Sequence, residues 1–336
     1  MSTREIINIF ANTQMCANKM YTIEQYTSAR KTLWDDTVRM SRNATFLLER
    51  GYMDYHSDRF TDCSLIVYDR HGKVAALFAA ADVKTGDKYT IVAHPGLTYG
   101  GFVLPMETNA TAMLDIMDGV ADFYRRQGRD KMIYKSIPHI YHRFPAEEDI
   151  YAIFRSGGRL SECNISSALL LDGNVNFDQN TRRNIAKACK VGVSMHESQS
   201  FAIFHEMLTE TLAQRHDAKP VHSLAELELL ASRFSKNIRL YAAYMPDGAM
   251  AAGTIVFCCG QVAHAQYIAT SHDGRNCGAL AALFDWLIKE LKSEFTILDL
   301  GTSNECHGQI LNPGLIRQKA GLGARGIAYN IYEIDL

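Results

Sequence analysis

The sequence lacks a G-x-x-x-x-G-K-[ST] stretch, and no strand-to-helix turn in it carries a G-x-G-x-x-G loop. The usual P-loop and nicotinamide-binding readings are thereby removed. None of its eight cysteines forms a C-x-x-C pair, and Cys258 and Cys259 are adjacent, a spacing unsuited to two ligands of one tetrahedral zinc. No metal and no permanently bound cofactor is expected. No apolar run approaches the ~20 residues that span a bilayer, and the N-terminus lacks a secretory pattern. Free thiols in a reducing cytoplasm are the expectation. Charge of one sign is also missing: 35 Lys and Arg stand against 37 Asp and Glu, for a net charge of −2. Bulk nucleic-acid binding, which rests on clustered cations, is not indicated.

What is present is globular. The 336 residues are 47% hydrophobic and 21% charged, enough for two domains that each bury a core. In the first half the patterns predict a helix at 23–40, where Thr22 and Gln25 have capping-box spacing and Trp34 and Val38 share a face. Strands at 64–69 and 74–80 follow, then a strand at 98–105, a helix at 107–127, a strand at 131–137, a helix at 147–156 and a strand at 165–171. The second half repeats this order. Helices at 179–191, 199–214 and 223–235 precede strands at 238–244, 251–258 and 262–270; a helix at 277–292, a strand at 296–301, a helix at 312–320 and a strand at 326–334 complete it. The hairpins "YDRHGKVAA" (68–76) and "YMPDGAMAA" (244–252) support a duplication. Helices mixed with hairpins point to α+β domains. The boundary is expected near 172–180, giving domains 1–175 and 176–336 with a shared cleft.

Five stretches have reactive composition. In "QYIATSHDGRNCGALAALFDWLI" (266–288) a strand meets a helix through a loop holding Gly274, Arg275, Asn276 and Gly278. Backbone N–H groups and the positive helix end would suit a pyrophosphate there. "ILDLGTSNECHGQILNPGLIRQKAGLGA" (297–324) ends a buried strand in Ser303, Asn304, Glu305, Cys306 and His307, then opens a helix at Asn312-Pro313 that carries Lys319. Glu305 is the expected general base, with Asp299 and His307 as the other options, and Ser303 and Asn304 would hold a water or a sugar hydroxyl. "HPGLTYGGFVLP" (94–105) offers Tyr99 for stacking beside Gly100 and Gly101. "HIYHRFP" (139–145) offers His142 and Arg143 as a basic rim for a diphosphate. In "YMDYHSDRF" (52–60), Tyr52, Tyr55 and Phe60 are expected to pack while Asp58 and Arg59 form hydrogen bonds.

The strand, "GRNCGA" loop, helix and strand resemble the core of the GNAT acyltransferase superfamily. Arg275 and Gly278 match two fixed positions of its Q/R-x-x-G-x-G/A loop, and Leu280 departs from the third. The segments 41–69, 94–105, 182–195, 220–234 and 300–324 resemble the Fem-like branch, whose members carry two GNAT domains in tandem. The resemblance implies an N-acyltransferase that uses a coenzyme A thioester and acts by direct attack. It implies an oxyanion-binding amide among Tyr267, Ile268 and Ala269, and a role for Lys319 beside the transfer site. Within the branch, the chain looks closest to enzymes of surface-polysaccharide biosynthesis that acylate a nucleotide-linked amino sugar, such as a hydroxybutyryl transfer to a dTDP-3-amino-3,6-dideoxyhexose. A monomer or homodimer is expected. The alternatives are an aminoacyl-tRNA-dependent peptidoglycan aminoacyltransferase and a non-catalytic double-GNAT binding protein.

Overall fold

The computed structural model describes residues 20–85, 88–173, 175–216 and 219–336. One mixed sheet of eleven strands runs through both halves. From the second half come β10 (Ser194–Ser198), β11 (Ile238–Tyr244), β12 (Met250–Cys259), β13 (Val262–Thr270) and β14 (Ile297–Thr302), in that spatial order. Next lie β9 (Arg159–Leu170) and β17 (Arg325–Asp335), then β8 (Lys131–Lys135), β6 (Lys88–Ala93), β5 (Ala80–Thr85) and β2 (Thr61–Asp62). A smaller sheet holds β1 (Tyr21–Gln25), β3 (Leu65–Asp69), β4 (Val74–Phe78) and β7 (Phe102–Val103). The hairpin of β15 (Asn304–Glu305) and β16 (Ile310–Leu311) stands apart.

The two halves exchange strands. β9, from the first half, pairs with β14 through Leu169 and Leu298, and the chain-terminal β17 pairs with β8 through Tyr134 and Tyr332. The exchange extends to the core. One buried cluster joins Trp34, Leu47 and Tyr52 to Phe204, Leu230 and Phe257, so the seam between the halves is apolar interior. Each such side chain contributes about 1.5–3 kcal/mol on burial, which makes the seam a major part of the folding energy.

The helices are α1 (Lys31–Met40), α2 (Ala110–Arg126), α3 (Glu148–Arg155), α4 (Gln179–Val191), α5 (Phe201–His216), α6 (Leu224–Arg233), α7 (His272–Cys277), α8 (Ala279–Leu291) and α9 (Pro313–Gly321), with a single turn at Arg50–Met53. The helix predicted from residue 23 begins only at Lys31. Residues 21–25 are extended instead, with Ile23 opposite Val67. The capping-box spacing of Thr22 and Gln25 is therefore coincidental. The strand predicted at 98–105 shrinks to Phe102–Val103, because Gly101 sits at φ +83° against the Tyr134 hydroxyl. The loop predicted at 271–278 is α7, capped by the Ser271 side chain. Gly321, Gly323 and Gly326 do have G-x-G-x-x-G spacing, but they lead from a helix into a strand, the reverse of a dinucleotide cradle.

Candidate active site

Parallel strands β13 and β14 are paired over three residues only, from Val262 opposite Ile297 to His264 opposite Asp299. Beyond that rung they part. Two local features cause the separation. β13 stays with β12 but bulges, since Ala265 faces Val256 and Tyr267 faces Ile255, leaving Gln266 as the extra residue. On the other side Gly301, at φ +75°, turns β14 away. The gap is a cleft of about 1080 Å³ lined by residues 264–270, by Leu300–Thr302, and by side chains of α4, α5, α8 and α9. Beyond His264, the β14-facing edge of β13 has no strand partner, so its backbone groups can meet a ligand.

The first half has a corresponding pair, and its gap is filled. β6 and β8 run parallel from Thr90–Lys131 to Val92–Ile133. The chain at 94–101 then crosses the gap, with the Gly100 N–H donating to Lys135 O at 3.0 Å and Lys135 Nζ donating to His94 O at 3.2 Å. Tyr99 is 1% exposed, shares a 2.9 Å hydrogen bond with Thr45 and packs on Tyr141. It is not available to stack on a base or sugar, and only Thr98 of this segment reaches the cleft. His142 is also buried, bonded through Nε2 to Ile137 O at 3.0 Å, while Arg143 is exposed and donates to Arg39 O. Neither lines the cleft.

Of the residues expected to hold the donor, Tyr267, Ile268, Ala269, Gly274, Arg275 and Gly278 line the cleft; Asn276 is exposed outside it, bonded to His272. The two glycines have a packing cause. A Cβ at Gly274 would lie 1.9 Å from Ala251 O, and one at Gly278 would lie 2.5 Å from Asn184 O. Gly278 also ends α7 in a left-handed conformation and starts α8, whose first helical N–H bond is made by Ala282. The amides of 279–281 therefore lack helix partners, and Leu280 and Ala281 line the cleft. Arg275 lies beside them, held by a 2.7 Å bond to Thr270 O. Arg183, Arg317 and Lys319 add cationic side chains to the lining, against the carboxylate of Asp178.

Lys319 is 5% exposed and donates to Gly301 O at 2.7 Å and Thr302 O at 2.9 Å, which ties α9 to the turn after β14. Burial pulls its ammonium down to about 8, against the opposing pull of Asp299. Asn312 caps α9 through Leu315 N–H with Pro313 in the first turn, as the sequence indicated. Glu305, the expected base, is exposed on the β15–β16 hairpin, accepts from Asn312 Nδ2 at 3.3 Å, and does not line the cleft. Ser303 and Asn304 fasten that hairpin to Ile165 of β9 and are likewise outside the cleft.

The floor of the gap is Asp299, which the sequence offered only as an alternative base, together with His264, Tyr141, Tyr329 and Ser166, which sequence reasoning missed. Asp299 is fully buried. One of its oxygens accepts from Ser166 Oγ and Gly301 N; the other accepts from Tyr141 Oη at 2.7 Å, Tyr329 Oη at 2.5 Å and His264 Nδ1 at 3.1 Å. Burial alone pushes this carboxyl up, but His264 beside it and the hydroxyl donors outweigh that and hold it well below the usual carboxylate range. The available signal was a histidine and an aspartate inside otherwise apolar strands, "VAHA" and "ILDL", which require buried partners. Among the described residues no cluster of three His, Cys, Asp or Glu is placed to hold a metal, and no helix is long and apolar enough to cross a membrane.

Residues 176–307, which supply much of the cleft lining but not Thr98 or the residues of α9, match the acetyltransferase (GNAT) domain family. The whole chain resembles solved structures of similar size. FemX superposes with a TM-score of 0.69 at 12% identity, covering 94% of this chain and 97% of that one. The chain has a tandem GNAT-like fold. L-PGS from Bacillus licheniformis gives a TM-score of 0.58 at 12% identity, with 92% of each chain covered. The C-terminal domain of a putative lysylphosphatidylglycerol synthetase from Agrobacterium fabrum gives 0.57 at 10% identity, with 91% and 92% covered. No curated protein is significantly similar in sequence. In this tandem GNAT-like chain, the split between parallel strands is open in the second half and plugged in the first.

Proposed function

We propose that the chain is an N-acyltransferase that holds an acyl-coenzyme A thioester in the β13–β14 gap and passes the acyl group to an amine by direct attack. The observation that carries this reading is the gap itself. An unpartnered strand edge at 265–270 shares the cleft with the free amides at the start of α8, and Arg275 and Lys319 belong to the same lining. A strand-edge N–H is suited to a thioester oxygen that becomes negative, an interaction worth on the order of 3 kcal/mol of barrier. Free helix amides and an arginine are suited to a diphosphate.

For the acceptor, the resemblance noted in the sequence favours the amine of a nucleotide-linked sugar, with an acyl group such as 3-hydroxybutyryl. Thr98, from the first half, lines the cleft, which supports an approach of the acceptor from that side. A charged tRNA as donor is the second reading. The similarity in fold to FemX and L-PGS bears on it. So do Arg183, Lys187 and Lys190, which are exposed at i, i+4 and i+7 on α4, the helix whose start borders the cleft.

Thiol release from a panel of acyl-coenzyme A donors, crossed with dTDP- and UDP-linked amino sugars, tests the proposal. Release with one pair and amide formation in equal amount support it. Transfer from charged tRNA, with no thiol release from any pair, moves the assignment to the second reading.

A further inference from the structure

Acyl transfer to an amine needs a base, because the nitrogen must shed a proton as its bond to carbon forms. The base expected from sequence, Glu305, lies outside the cleft. Most titratable side chains that do line it are committed elsewhere. Asp178 caps α4 by accepting from Thr181 N–H at 2.6 Å, which holds it below the usual carboxylate range. The Tyr267 hydroxyl is bonded to His222 Nδ1 at 2.5 Å, and Tyr329 donates to Asp299. Lys319 is tied to two carbonyls. His264 is different. Its Nδ1 is spent on the floor of the gap, and its Nε2 makes no hydrogen bond within the described protein. Nor is Nε2 among the sealed, partnerless ring nitrogens, which belong to His56, His94 and His222.

We propose that His264 Nε2 is the general base of the transfer, with Asp299 as the positioning residue that fixes its tautomer; this rests on the acyltransferase reading above. Asp299 is surrounded by donors on both oxygens, so it accepts from His264 and leaves Nδ1 protonated. Nε2 then carries the lone pair on the cleft side. Gly301 lies beside the ring: a Cβ there would be in ordinary contact with His264 Cε1, at 3.7 Å. The groups facing the ring are Asp299 of β14, Tyr141 of the turn His139–Tyr141 and Tyr329 of β17, with Lys319 of α9 across the cleft lining. In the step, the amine nitrogen bonds to the thioester carbon and its proton moves to Nε2. The carbonyl electron pair moves to oxygen and returns as the C–S bond breaks. The proton on Nε2 then passes to the leaving thiolate, so amide and free thiol form with no other reactant.

The test uses the full chain and a donor–amine pair that the wild-type protein turns over. His264→Asn is expected to lower kcat about 100-fold, with the donor KM within threefold. Imidazole is expected to restore part of the rate to His264→Ala. His264→Asn within threefold of wild type, or a full loss in Glu305→Gln with none in His264→Asn, overturns the proposal. A second measurement needs no substrate. Nitrogen-15 correlation spectra at pH 8 are expected to show His264 protonated at Nδ1 and bare at Nε2, and to lose that preference in Asp299→Asn. The opposite tautomer in the wild-type protein overturns the proposal. If no donor releases thiol but the tautomer is as expected, the acyl-coenzyme A reading fails while the poised base stands.

Discussion

His264 and Asp299 face each other in the last register that β13 and β14 share, with Nδ1 3.1 Å from Oδ2. The rung that ends the ladder is thus also the floor of the cleft. The carboxylate takes five donors from four strands and one turn of both halves, so one side chain ties the exchanged strands to the site.

Asp299→Asn should be destabilising, because an amide cannot accept five donors and brings two of its own. A loss of about 3 kcal/mol is expected from urea unfolding. The pH dependence has a definite sign. The folded carboxyl lies below its unfolded value, so its stabilisation is full above about pH 4 and fades as pH falls through the folded value. Wild type should show that acid slope, and the variant should lack it.

Lys319→Met leaves Gly301 O and Thr302 O without their donor and removes a charge from the cleft. A loss of roughly 2 kcal/mol is expected in urea, with weaker binding of coenzyme A by calorimetry. Because burial brings the ammonium to about 8, the wild-type affinity for an anionic donor should decline as pH rises through 8. The variant should show no such decline.

Gly274→Ala and Gly278→Ala force a methyl group onto the backbone of Ala251 and Asn184. Both variants should unfold at clearly lower urea concentration, by about 2 kcal/mol or more, whatever they do to donor binding. Asn276→Ala, exposed in the same segment, should stay within about 0.5 kcal/mol of wild type.

Three histidines meet where the halves join. His56 stacks between Tyr55 and His94, at 4.2 and 5.0 Å, and Tyr55 lies 5.5 Å from His222 of the second half. Burial pulls His94 down to about 3 and His222 to about 4, and lowers His56. Each is neutral when folded and free to protonate when unfolded, so stability should be full above about pH 6.5 and fall as pH drops toward 4. Urea midpoints across that range check this. His222→Asn should flatten the slope.

Much of this architecture was legible in local pattern. α4 at 179–191 and β13 at 262–270 follow from periodicity and flanking glycines, and Asn312-Pro313 announces its helix by the chemistry of the cap. In the segment 52–60, Tyr52 packs against Phe46 and Arg59 pairs with Glu226 of the other half as expected, while Asp58 is exposed and makes no side-chain bond among the described residues. The site was less legible because its parts are distant in sequence. Tyr141 meets His264 across 123 residues and Ser166 meets Asp299 across 133. Local composition instead favoured the conspicuous polar run Ser303–His307, of which Ser303 is buried and the rest lies in the β15–β16 hairpin, with Glu305 exposed. Nor does sequence distinguish the open gap from the plugged one. That difference lies in the path of residues 94–101, held across the gap by Lys135 and placed by tertiary packing.

The most direct test of the central claim is a crystal structure of the chain with a non-hydrolysable acyl-coenzyme A thioether. The account expects the carbonyl between residues 265–269 and Gly301, within reach of His264, and the diphosphate at the amides of 279–281 beside Arg275. A thioether bound elsewhere, with the β13–β14 gap empty, would contradict it.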